Sequence, residues 1–161
     1  MSSQANVSFR EVQHGIGYWL SIVLLVAFMG PYVWTRHAPP TGMVVATLLL
    51  IWFFNYAIKM VTEVRDDGVY VQWWPLMRMF RRYPFTDIES AKARTYNPIG
   101  EYGGWGIRVR IGPGAKLGGA YNMQGNRGVQ LVFKNGTRLL IGSQQADNLE
   151  QAIRSGMSRS V

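Results

Sequence analysis

Two stretches of the chain carry no charged side chain. Residues 15–35 and residues 38–58 each run for 21 positions without Asp, Glu, Lys or Arg. As α-helices they would extend roughly 31 Å, the thickness of a hydrocarbon layer. Between them, Arg36-His37-Ala38-Pro39-Pro40-Thr41-Gly42 is a breaker cluster that predicts a turn. The pattern therefore predicts a transmembrane α-hairpin, with helices about 15–35 and 42–58, behind an N-terminal cytoplasmic tail at 1–14. Trp19, Trp34 and Trp52 fall near the ends of the runs, where aromatic rings mark a membrane interface. Pro31 predicts a kink or an early end to the first helix. A cleaved leader accounts for the first run less well, because Glu11 and mostly polar residues precede it and no A-x-A site follows. A buried soluble core accounts for the pair less well, because such helices rarely lack charge over this length.

From Lys59 the pattern changes to strands. Asp66-Asp67-Gly68 separates two extended segments, and after it Val69, Val71 and Trp73 alternate with Tyr70, Gln72 and Trp74. Residues 88–96 read as a strand that ends at Asn97-Pro98. Ile107, Val109 and Ile111 alternate with Arg108 and Arg110, and Val129, Leu131 and Phe133 with Gln130 and Lys134. Asn135-Gly136 is the strongest hairpin turn signal in the chain. About seven strands result, all expected to be antiparallel because their connections are too short for crossovers. Ala146, Leu149, Ile153 and Met157 then recur at helical spacing, which predicts a helix at about 145–157, with Ser143 or a neighbour as its cap. The expected fold is a transmembrane α-hairpin plus an α+β domain at 59–161, an antiparallel barrel or sandwich capped by that helix.

Charge sets the orientation. The net charge is +8, of which +7 lies in residues 59–161. The turn between the runs holds Arg36 alone, whereas Arg10, Lys59 and Arg65 flank the other ends, with Arg78, Arg81 and Arg82 beyond. The positive-inside rule then puts both termini and the β domain on the cytoplasmic side of a multi-pass chain in a bacterial inner membrane.

Composition removes several chemistries. Without cysteine there is no disulfide, thiol nucleophile or zinc-thiolate site. His14 and His37 have no visible partners. Gly112-Pro-Gly-Ala-Lys-Leu-Gly-Gly119 lacks the Gly-Lys-Ser/Thr ending of a phosphate loop, and Gly103-Gly-Trp-Gly106 lacks the dinucleotide-binding spacing. Asp66/Asp67 and Asp87/Glu89 read as solvated carboxylates. The cations are scattered singly, with no basic tract and no recognition helix, so a nucleic-acid partner is not expected. No catalytic, cofactor-binding or metal-binding residue is assigned, and no cofactor or small-molecule substrate is expected. The candidate contact residues are Trp19, Trp34, Trp52, Trp73, Trp74, Arg78, Arg81 and Arg82. The last five belong to the cluster at 73–83, which mixes aromatics, methionines and arginines just after the second run. Adjacent Trp73 and Trp74 cannot face the same core across a pleat.

The segments Glu63-Val-Arg-Asp-Asp-Gly-Val-Tyr-Val71, Gly104-Trp-Gly-Ile-Arg108, Gly118-Gly-Ala-Tyr-Asn122, Gly128-Val-Gln-Leu131 and Leu140-Ile-Gly-Ser-Gln144 follow in an order that resembles bacterial pleckstrin-homology-like (PH-like) domains behind two transmembrane helices. The resemblance implies a PH-like barrel used for binding or assembly, with no established reaction. The acidic Asp66-Asp67-Gly68 turn does not carry inositide binding over. The function expected is therefore a non-enzymatic membrane-anchored interaction module. It would be an accessory subunit that binds and stabilises a larger membrane assembly, respiratory or photosynthetic for example, through other membrane protein subunits or self-association. The alternative is a peripheral module that contacts or senses the headgroups of membrane lipids.

Overall fold

The structure, a computed structural model, describes residues 6–15, 18–108 and 118–160, and for residues 18–20 the backbone alone. Among them are nine strands in two sheets and four α-helices. The first sheet has the order β1 (Val7–His14), β2 (Lys59–Arg65), β3 (Gly68–Trp74), β4 (Arg81–Pro84), and all its pairs are antiparallel. The second has the order β5 (Ile88–Thr95), β8 (Arg127–Phe133), β9 (Arg138–Gly142), β7 (Gly119–Asn122), β6 (Gly106–Arg108).

The alternation along each strand shows why the sheets pack together. Val69, Val71 and Trp73 of β3 and Met60 and Val64 of β2 point inward, opposite Val129, Leu131 and Ile141 of the second sheet. The amphipathic helix α4 (Ala146–Arg159) closes this core with Leu149 and Ile153, both fully buried. At Gly156 the close packing requires glycine, because a Cβ there would come within 2.2 Å of the Phe85 ring. A smaller cluster of Tyr96, Tyr102, Ala120 and Leu140 is covered by the short helix α3 (Pro98–Tyr102). The Asn97 side chain caps α3 by accepting the N–H groups of Ile99 and Gly100.

The structure corrects the sequence-based expectations in three respects. First, residues 7–14 are not a tail but the edge strand β1, paired along β2 from Val7↔Arg65 to His14↔Lys59. Second, the strands are not all antiparallel, because β7 and β9 run parallel. Short loops constrain strands that are consecutive in sequence, and β8 intervenes between these two. The about seven strands of a PH-like barrel become nine in two sheets. Of the expected strand at 107–111, Val109 and Ile111 lie outside the described residues, as does most of the glycine loop at 112–119.

Third, the uncharged runs do not form a transmembrane hairpin. Among the described residues no helix is long and apolar enough to cross a membrane. The run is longer than the helix inside it. The first yields α1 (Tyr18–Thr35), 18 residues that continue through Pro31 and end in Tyr32, Trp34 and Thr35. The second yields α2 (Thr41–Trp52), only 12 residues, after which a π-helical turn at Phe53–Ala57 leads to extended Ile58. At 1.5 Å per residue these helices extend about 27 and 18 Å, short of a ~30 Å hydrocarbon layer. The multi-pass placement in a bacterial inner membrane, and the orientation read from the basic residues, rested on that hairpin and fall with it.

Candidate functional site

α1 and α2 form a helical hairpin inserted between β1 and β2, fastened at its base. His14 pairs with Lys59 across the ladder, and the Gly15 N–H donates to the Ile58 carbonyl at 2.9 Å. Gly15 has φ +73°, and a Cβ there would meet the Asn55 carbonyl oxygen at 3.0 Å, so glycine is needed where the chain leaves the sheet. Phe54 and Ile58 pack on the main core, as does Met77 from the loop after β3. The hairpin is thus continuous with the folded domain at this end.

Its side chains are arranged inside out. The Asn55 amide donates to the Ser21 hydroxyl at 2.6 Å and to the Ile51 carbonyl at 2.8 Å. The Thr47 hydroxyl is buried and donates to the Met43 carbonyl at 2.8 Å, and the Thr35 hydroxyl donates to the Pro31 carbonyl at 2.9 Å. The apolar groups face outward instead: Ile22 is 63% exposed, Val26 62% and Leu48 58%. Contiguous exposed apolar side chains make the hairpin a candidate contact surface.

At the hairpin's base the loop between β3 and β4 adds to this surface. Trp74, opposite Lys59 in the ladder, is 38% exposed, and Leu76 and Met79 are largely exposed. The loop is held by the Met77 N–H, which donates to the Trp73 carbonyl at 2.7 Å, and by the Gln72 amide, which donates to the Arg78 carbonyl at 2.6 Å. Arg78 is exposed, as is His14 at the end of β1.

The contact residues expected from sequence do not form one surface. Trp74 and Arg78 lie together at the hairpin's base, with Trp52 at the end of α2. Trp34 is 90% exposed but stands at the far end of α1. The Trp19 side chain lies outside the described residues. Trp73 is only 5% exposed; its ring belongs to the core, and its indole N–H has no partner among the described residues. Arg82 forms an ion pair with Asp67 at 3.1 Å, at the opposite end of β3. Arg81 lies beside the Tyr83–Tyr121 hydroxyl pair, 3.0 Å apart, where burial and the Tyr121 hydrogen bond push the Tyr83 phenol well above its ordinary pKa. The pleat and the strand register divide the 73–83 cluster among three places.

Sequence reasoning missed a polar clasp. Glu11 and Gln13 of β1 are buried and face the end of β9. Glu11 accepts from the Ser143 hydroxyl, from the Gln144 N–H at 2.8 Å and from the Gln13 amide at 3.1 Å, and that amide also donates to the Gly142 carbonyl at 3.0 Å. No local signal marks these residues, since polar side chains at every second position read as a solvated face. Among the described residues no group of three or more His, Asp or Glu is placed to hold a metal ion.

The fold and this surface define a class: an α+β domain of two packed sheets that carries an apolar helical hairpin. The chain belongs to the family of unknown function DUF6141, which matches residues 4–160. No curated protein and no solved structure matches it. Membership of this family replaces the resemblance to PH-like domains behind two transmembrane helices, and among the described residues no helix is long and apolar enough to be one of those two.

Proposed function

We propose that the chain is a non-enzymatic interaction module whose apolar helical hairpin is the element its partner covers. One observation carries this reading. The hairpin turns its hydroxyl and amide groups onto its own backbone and its valines, leucines and isoleucines outward. Covering such half-exposed side chains gains roughly 1–2 kcal/mol each, so the hairpin favours being covered. The fastening of its base to the core makes the hairpin a fixed contact element of the domain.

The chain has no cysteine, so single cysteines report accessibility directly. In gently lysed cells, Val26→Cys and Leu48→Cys should react with a water-soluble maleimide much more slowly than Lys134→Cys, on an exposed turn of the β domain. Equal rates at all three would show that the hairpin is uncovered and would remove this reading.

A further inference from the structure

We infer that the surface covering the hairpin is a lipid layer bearing acidic headgroups, with His14, Lys59 and Arg78 at the hairpin's base facing those headgroups. The inference rests on the reading above that the hairpin is a covered contact element, and it names what covers it.

Three observations favour lipid over a protein partner. The exposed arc is broad on each helix. Ile22, Val23, Leu25, Val26 and Phe28 are all exposed and, at 100° per residue, fan over about 220° of α1; Leu48, Leu49 and Leu50 span about 200° of α2, away from the buried Thr47. A protein partner covers one stripe of a helix, whereas an acyl phase covers every side that the rest of the chain leaves open. Next, the hydroxyl and amide groups of Thr35, Thr47 and Asn55 find partners within the hairpin itself. Hydrocarbon requires this because it offers no donor or acceptor, whereas a protein surface supplies them.

Charge is the third. Between residues 12 and 62, and between 68 and 80, the chain has no Asp or Glu but three Lys or Arg, namely Arg36, Lys59 and Arg78. Lys59 and Arg78 stand at the hairpin's base, beside the exposed Trp74, Leu76 and Met79. Asp66 and Asp67 occupy the turn at the other end of β2 and β3, roughly 20 Å away along a seven-residue strand. A cation-and-tryptophan collar around an apolar element suits the boundary between acyl chains and anionic headgroups. Since neither helix is long and apolar enough to cross a membrane, the hairpin enters the layer from its base without spanning it.

The test uses the full chain, synthesised without detergent in the presence of vesicles of phosphatidylcholine alone or mixed with phosphatidylglycerol. The chain should float with the mixed vesicles more than with the neutral ones, and a polarity-sensitive dye on Val26→Cys should shift to the blue. Lys59→Gln with Arg78→Gln should lower binding by about fivefold for each charge removed. Lys92→Gln with Arg138→Gln, on the second sheet away from the hairpin, should leave binding unchanged. Arg78→Gln alone, at an exposed position, guards against misfolding of the double variant and should still weaken binding. Equal flotation with both vesicles, or equal loss in the control pair, would overturn the inference. Flotation with neither, while Val26→Cys and Leu48→Cys remain protected in lysed cells, would also overturn it, identify a protein as the cover and leave the interaction-module reading standing. Free labelling of those cysteines would remove both.

Discussion

Glu11 and Gln144, 133 positions apart, are joined directly: the buried carboxylate of one accepts the backbone N–H of the other at 2.8 Å. The Ser143 hydroxyl donates to the same carboxylate and accepts the Gln145 N–H at 3.0 Å, at the start of α4. This clasp ties the edge strand that leads into the hairpin to the second sheet and the closing helix. Glu11→Ala would leave the buried Ser143 hydroxyl and the partly buried Gln144 N–H without this acceptor. It should destabilise the chain by roughly 3 kcal/mol. Urea unfolding should show a lower midpoint at unchanged slope. A change within about 0.5 kcal/mol, the size of an ordinary surface effect, would show that the clasp does not form.

Gly156 sits against Phe85. Ala normally favours a helix over Gly by about 1 kcal/mol. Here the added methyl meets the Phe85 ring at 2.2 Å. Gly156→Ala should therefore destabilise by about 1–3 kcal/mol, the usual cost of overpacking. Combining it with Phe85→Leu should cost less than the sum of the two single changes, and a double-mutant cycle with no coupling would contradict this packing.

The Glu101 carboxylate lies 2.8 Å from the Arg94 guanidinium and accepts the Asn97 N–H at 2.8 Å. The Arg94 hydrogen bond holds its pKa below the ordinary value of 4.5. A depressed folded-state pKa contributes stability above the unfolded value and loses it as pH falls through the folded one. Glu101→Gln should thus destabilise slightly at pH 7, by less than about 1 kcal/mol as for other partly exposed pairs. The difference from the parent should shrink as the pH falls below 4.5 and vanish once the pH is below the depressed folded-state value. A constant difference across that range, measured by thermal unfolding, would place the effect elsewhere.

Tyr83 behaves in the opposite sense. Burial and its bond to Tyr121 hold its phenol neutral well beyond the ordinary value of 10.0. The stabilisation is complete below the unfolded pKa and is lost as pH rises above about 10. In an alkaline titration followed at the phenolate absorbance, Tyr83→Phe should remove a late-ionising group and leave the early ones. Loss of an early-ionising group instead would contradict the buried pair.

Much of the β domain was legible because its signals are local. The alternation of Val69, Val71 and Trp73 with Tyr70, Gln72 and Trp74 survives in β3, since one face of that strand meets the core. Asn135-Gly136 makes the expected turn: the Phe133 N–H donates to the Thr137 carbonyl at 2.9 Å. The spacing of Ala146, Leu149 and Ile153 places the buried side of α4. Of the contact residues expected at 73–82, Trp74 and Arg78 are exposed, but Trp73 turns into the core and Arg82 engages Asp67. Helix length was the largest departure. An uncharged run shows where charge is absent, while helix ends depend on hydrogen bonding and packing, and here the second run passes into a π-helical turn and an extended residue fastened to the sheet.

Sequence alone therefore determined the features that depend on near neighbours: the strands with one buried face, the tight turn, the amphipathic closing helix and an uncharged pair of helical runs. Tertiary structure decided what depends on partners far along the chain. Residues 7–14 become a strand because β2 supplies the ladder and because Gly142, Ser143 and Gln144 bond to two polar side chains facing inward. β7 lies parallel to β9 because the second sheet brings together strands that are not consecutive. Trp74 and Lys59 stand side by side at the hairpin's base because strand register pairs them, and the loop after β3, where the Gln72 amide donates to the Arg78 carbonyl, carries Arg78. Periodicity reports whether a side chain is covered, whereas the identity of what covers it is set by contacts between segments that the order of residues does not display.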